Sequence, residues 1–231
     1  MKYTLDYNEY TKTARQAIAD GQVLLKNDNN ALPINNGAMV SVFGRMQNHY
    51  YKSGTGSGGM VNVKKIYGIL DALYEAQNDN GVIKVYEPLA KVYSEWEKLN
   101  PYIDGKGWGA ELWSQKEMPL DETVVKDAAA NSDIALAIIA RSAGEDQDNQ
   151  NQAGSYLLTD LEKAMLKSVR DNFSKMVVIL NVGNIIDMKY INEISPDAIL
   201  YAWQGGMLGG LGTVDVLTGV VNPSGHLSDA T

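Results

Sequence analysis

The 231-residue chain contains no cysteine. Disulfide staples and thiolate metal sites are therefore excluded. Basic residues are scarce: 20 Lys and Arg stand against 28 Asp and Glu, a formal net charge of −8. A surface that tracks phosphates needs clustered positive charge, so nucleic acid is not an expected partner. No run approaches the ~20 apolar residues that span a bilayer, which sets aside a membrane partner. The opening "MKYTLDYNEYTKTARQ" lacks the apolar stretch of a secretory signal, so a cytoplasmic location is expected. The two histidines, His49 and His226, lie in unrelated loops with no Ser or Asp pattern that suggests a triad. Internal repeats, coiled-coil runs and low-complexity linkers are also missing, and nothing calls for a metal or a cofactor.

What is present is alternation. The segments "AMVSVFG" (38–44), "VIKVY" (82–86), "DIALAIIA" (133–140), "KMVVILNV" (175–182) and "DAILYAW" (197–203) read as strands. Three of them are almost continuously apolar, as strands covered on both faces of a parallel sheet should be. Helical patterns occupy 10–26, 62–77, 89–99, 122–130, 159–172 and 208–217. Thr159 and Glu162 have the spacing of a capping box, and Leu161, Met165 and Val169 then recur on one face. The expected fold is a single α/β domain over residues 1–231. It is a three-layer α/β/α sandwich with a mostly parallel sheet of five or six strands and helices on both faces. Ligands in such sheets bind outside the carboxyl ends of the strands. Attention therefore falls on the loops at 45–61, 141–158, 183–187 and 204–207. A long excursion rich in Gly and Trp, residues 100–121, is expected to be functional or packed on a neighbour.

The first of these loops carries Gly54-x-Gly56-x-x-Gly59, the spacing of a dinucleotide-binding turn. Glu87, after the next strand, could stand for the ribose-binding acid. In a nucleotide site, however, the first glycine turns the chain directly from strand into helix. Here residues 45–53 intervene, and no Lys-Ser or Lys-Thr pair follows the glycines to make a phosphate loop. Two other readings stand beside the nucleotide one. The glycines form a flexible turn, or they let backbone and the small hydroxyls of Thr55 and Ser57 line a polar pocket.

The loop after the third strand, "ARSAGEDQDNQNQAGSYLL" (140–158), carries Glu145, Asp146 and Asp148. Such a run is either a solvated surface or a rim of carboxylates for acid/base work or for binding sugar hydroxyls. Its aspartate spacing does not make a calcium loop.

Several segments together resemble the α/β sandwich domain of glycoside hydrolase family 3, the β-glucosidase family. They are "ARQAIADGQVLLKNDNNALPI" (14–34), "VSVFG" (40–44), "SGTGSGG" (53–59), "RSAGEDQDN" (141–149), "YLLTDLE" (156–162), "VVILNVGNIIDM" (177–188) and "ILYAWQGGMLGGLGTVDVLTGVVNPSGHL" (199–227). The resemblance implies a retaining β-glycosidase acting on terminal β-D-glucosyl units of a β-glucoside or oligosaccharide. Matched residue by residue, it makes Glu145 the general acid/base and Asp148 its companion, and it brings Ser57 toward the sugar. Asp146 stands where the family often has Gly, and Asn149 where it often has Arg. The nucleophile, an Asp on a (β/α)8 barrel, has no counterpart in this sequence. The resemblance thus implies a domain of a longer polypeptide, with the sandwich preceding the barrel, and an isolated chain without activity. The alternative from another class is a carbohydrate-binding module that keeps the fold without the chemistry.

Overall fold

The computed structural model describes residues 3–105 and 107–228. One sheet is built from β1 (Val23–Asn27), β2 (Ala38–Phe43), β3 (Ile83–Val85), β4 (Ile134–Arg141), β5 (Met176–Val182) and β6 (Ala198–Tyr201). Their spatial order is β1-β6-β5-β4-β2-β3. β2 to β6 run parallel, and β1 closes the edge antiparallel to β6, with a bulge between Leu24 and Lys26.

Every residue of β4 and β5 is buried, which explains their unbroken apolar sequences. Alternate positions feed two cores. Val42, Leu136, Ile138, Val177, Ile179 and Leu200 pack toward α1 (Tyr7–Gly21), α2 (Ile69–Asn80) and α7 (Gly209–Leu217). Phe43, Ala137, Ile139, Val178, Leu180 and Tyr201 pack toward α3 (Glu87–Leu99), α4 (Glu122–Ala130), α5 (Asp160–Asn172) and the short α6 (Lys189–Ile194). This is the expected three-layer sandwich.

Three elements depart from the sequence reading. The pattern at 10–26 is helical only to Gly21, because Gln22 turns extended and the next residues pair with β6 as β1. The helix expected from 62 begins at Ile69. The segment before it is tied instead to the loop after β6: Tyr67 N donates to Met207 O at 2.8 Å, and Gly210 N to Tyr67 O at 3.0 Å. The six-residue α6 has too few positions to display a period.

The chain leaves β2 for β3 on one side and returns to β4 on the other. That reversal opens a crevice at the carboxyl ends of β2 and β4, where open α/β sheets place their ligands. The 67–68 turn beside it is packed tightly against the glycine-rich α7: a Cβ at Gly210 would lie 2.2 Å from the Gly68 carbonyl oxygen. Gly210→Ala should therefore lower the thermal unfolding midpoint, although alanine gains about 1 kcal/mol of helix propensity. A raised midpoint would show that the contact relaxes freely.

Candidate functional site at the strand switch point

The loops leaving β2 and β4 meet at this crevice. Thr55 N donates to Ala143 O at 3.1 Å, and Thr55 forms a parallel bridge with Gly144. The Thr55 hydroxyl donates to Glu145 O at 3.0 Å. Ser57 then reaches the Glu145 carboxylate: its N–H and its hydroxyl lie 3.3 and 3.4 Å from Oε2. Two residues 88 positions apart in sequence are thus brought together.

This approach accounts for the glycines. A Cβ at Gly56 would lie 2.5 Å from the Glu145 Cβ. One at Gly144, whose φ is +153°, would lie 2.7 Å from Thr55 N. No helix starts at the glycines, since α2 begins only at Ile69. The nucleotide reading therefore lacks the helix amino terminus that a pyrophosphate needs.

Asp148 is exposed and makes no side-chain hydrogen bond to Glu145 or to the glycine loop among the described residues. Its neighbours reach elsewhere. Asp146, at φ +60°, accepts from the Trp108 indole N–H. Asn149 donates to Ile185 O at 2.8 Å, in the loop after β5.

Beneath the Glu145 loop lies a buried ion pair. Arg141, the last residue of β4, is 1% exposed, and its guanidinium meets the Glu162 carboxylate at 2.6 and 2.8 Å. It also donates to the carbonyls of Ser155 and Leu157, at 2.8 and 3.2 Å. Glu162 closes the expected capping box of α5, accepting from Thr159 N at 2.7 Å. The 142–158 loop therefore starts and ends on one pair of charges.

Asn181, on β5, stitches the neighbouring loops together. Its side chain accepts from Tyr51 N at 2.9 Å and donates to Tyr51 O and Trp203 O at 3.0 and 2.7 Å. Tyr50 accepts from Gly205 N at 3.0 Å, and burial pushes its phenol up to about 12.

The 100–121 excursion roofs the edge. Trp113 O accepts from Ser142 N at 2.7 Å, and Glu111 O accepts from the Gln147 carboxamide. Buried Arg45 anchors the far end: its guanidinium donates to Lys116 O and Asn100 O and sits over the Trp96 ring. Its backbone N–H points at Glu117, whose carboxyl burial pushes up to about 7.

The structure thus brings Glu145 and Ser57 together and leaves Asp148 on the rim. Sequence reasoning passed over Arg141, Asn181, Arg45 and Glu117. A cation ending an eight-residue strand otherwise apolar, followed by an acid in the first turn of a helix, was the available signal for the Arg141–Glu162 pair.

No helix of the described residues is long and apolar enough to cross a membrane. Among those residues no group of three or more His, Asp or Glu is placed to hold a metal ion.

The fold and its edge define a class: a three-layer α/β sandwich with a carboxylate loop and a glycine loop joined at the switch point. The model of the Glycosyl hydrolase family 3 C-terminal domain matches residues 22–230, and the chain belongs to this family. A β-glucosidase of Ruminococcus albus is 58% identical over 225 residues, covering 97% of this chain and 23% of that protein. Beta-glucosidase A of Butyrivibrio fibrisolvens is 35% identical, covering 93% of this chain and 28% of that protein. Among solved structures, a β-glucosidase from Paenibacillus barengoltzii superposes with a TM-score of 0.89 at 46% identity, over 96% of this chain and 24% of the other. β-Glucosidase 3B from Thermotoga neapolitana, in complex with glucose, gives 0.83 at 30% identity, over 95% of this chain and 30% of the other. The chain spans about a quarter of the length of these β-glucosidase relatives.

Removing one partner of a buried ion pair strands the other charge. Glu162→Ala should cost about 3–5 kcal/mol in urea unfolding. A loss below about 1 kcal/mol would mean that the pair does not hold the loop.

Proposed function

We propose that this chain, residues 1–231, is the single sandwich domain of a retaining β-glucosidase, with Glu145 as general acid/base and Ser57 in the wall of the sugar pocket. One observation carries the reading. The exposed carboxylate of Glu145 is held by the glycine loop at the switch point, in a domain of glycosyl hydrolase family 3. The names of the relatives and the glucose complex of a structural neighbour support a β-glucosyl substrate.

A retaining mechanism needs two carboxyl groups about 5–5.5 Å apart. This chain supplies one, and the nucleophile comes from a (β/α)8 barrel of the same polypeptide. In the first step Glu145 gives its proton to the glycosidic oxygen as the C1–O bond breaks and the nucleophile bonds to C1. In the second step the Glu145 carboxylate takes a proton from water, whose oxygen bonds to C1 and releases the nucleophile. Ser57 serves this role by holding Oε2. The other oxygen, Oε1, has no hydrogen bond among the described residues and is the one to carry the proton. Asp148, exposed on the same loop, would bind a sugar hydroxyl on this reading.

Two outcomes are expected. The purified 231-residue chain should not turn over aryl β-glucosides, and robust hydrolysis would overturn the division of carboxylates. In the polypeptide that includes the barrel, Glu145→Gln should slow phenyl β-glucoside by about 10²–10⁴-fold. Dinitrophenyl β-glucoside, whose leaving group departs unprotonated, should lose far less in the glycosylation step. Equal loss for both substrates would point to a binding role, as in a carbohydrate-binding module.

A further inference from the structure

The residue after Glu145 is unusual. Asp146 adopts φ +60°, a left-handed conformation that favours glycine. The resemblance to the family often puts glycine at this position. The structure places an aspartate there, and its carboxylate accepts a hydrogen bond from the Trp108 indole N–H. Trp108 is 52% exposed and sits in a turn whose flanking glycines, Gly107 and Gly109, are at φ +101° and +66°. A Cβ at Gly109 would lie 3.8 Å from the Asp146 Cβ, so that turn rests directly against Asp146.

The Trp108 turn is fastened to the Glu145 loop on both sides. Trp113 O takes the Ser142 N–H before Glu145, and Glu111 O takes the Gln147 carboxamide after it. On the opposite side, Thr55 and Ser57 hold the Glu145 carbonyl and carboxylate. Glu145 is therefore carried between two clamps, one of glycine-loop backbone and one ending in the Asp146–Trp108 bond.

We propose that Asp146 is a positioning residue for Glu145: by clasping the Trp108 indole, its carboxylate fixes the left-handed turn that aims Glu145 at the substrate. The inference rests on the acid/base reading of Glu145. A purely structural role makes the opposite forecast for one variant. Asp146→Gly relieves the left-handed strain, so on stability grounds alone it should be neutral or favourable. On the positioning reading the same change damages the chemistry.

The test uses the polypeptide that includes the barrel. Asp146→Gly, Asp146→Asn and Trp108→Phe are compared with Glu145→Gln on phenyl and dinitrophenyl β-glucosides, with unfolding midpoints alongside. Asp146→Gly and Trp108→Phe should each lower kcat for the phenyl substrate about tenfold, with KM within twofold, a small misplacement of a catalytic group being enough for such a loss. The glycosylation step of the dinitrophenyl substrate, read from its kcat/KM, and the unfolding midpoint should hold. Asp146→Asn, whose amide oxygen still accepts from the indole, should keep at least half the activity. The double variant Asp146→Gly, Trp108→Phe should be no slower than either single one, since both remove the same bond. Wild-type turnover by Asp146→Gly, or losses that multiply in the double variant, would overturn the proposal. If Glu145→Gln discriminates between the two leaving groups and Asp146→Gly does not, the clasp fails and the acid role stands. If Glu145→Gln does not discriminate, the acid role falls and the clasp with it.

Discussion

The buried bond between Arg141 and Glu162 is the constraint from which the functional edge is organised. Both charges are withdrawn from water, so each is costly without the other and neither is free to move. Glu162 has a second duty, closing the cap of α5. Arg141 likewise collects carbonyls from the end of the loop that it begins. A long polar loop is thereby made a closed handle on the sheet, and the height of Glu145 above β4 is set by charges lying underneath it. The Arg141 carbonyl also receives the Gln204 carboxamide, which brings the loop after β6 into the same frame.

Above that base the contacts change in character. Where the glycine loop meets the Glu145 loop, backbone lies against backbone at Gly54 and Gly144, and the short side chains of Thr55 and Ser57 reach across to Glu145. Such an edge has few rotatable side chains to reorganise. The roof is different again. Glu111 O accepts from the Gln147 carboxamide, and the Gln115 carboxamide accepts from Ile103 N and donates to Ile103 O, at 3.0 and 2.9 Å.

Much of the scaffold was legible in the sequence, for physical reasons. β4 and β5 are buried on both faces, so their apolar runs were unmistakable. α4 has the bounds that its pattern gave, and the capping box of α5 is where Thr159 and Glu162 put it. β1 was hidden because Val23 and Leu24 continue an apolar helical pattern and become strand only through the distant β6. At the site, the carboxylate loop and the glycine loop could each be picked out, but not their meeting. That depends on strand order, a property of the whole sheet. Asp148, which the family resemblance made the companion of Glu145, is exposed and makes no side-chain hydrogen bond to it among the described residues, and no pattern in the sequence could show that. The partners of Arg45 lie in irregular chain, where no period announces a contact.

The two margins of the sheet carry a consequence for how copies of this domain behave together. On one side the outermost strand is β3, three residues long, with Lys84 exposed at its centre. On the other, β1 is broken by its bulge, and the Gln22 carbonyl just ahead of it is occupied by Gly225 N at 3.0 Å. A foreign strand thus finds no long, straight row of unpaired amides to extend. Crowded copies have little means of growing a continuous ribbon through their sheets, even while the loop-bearing rim stays open to other molecules.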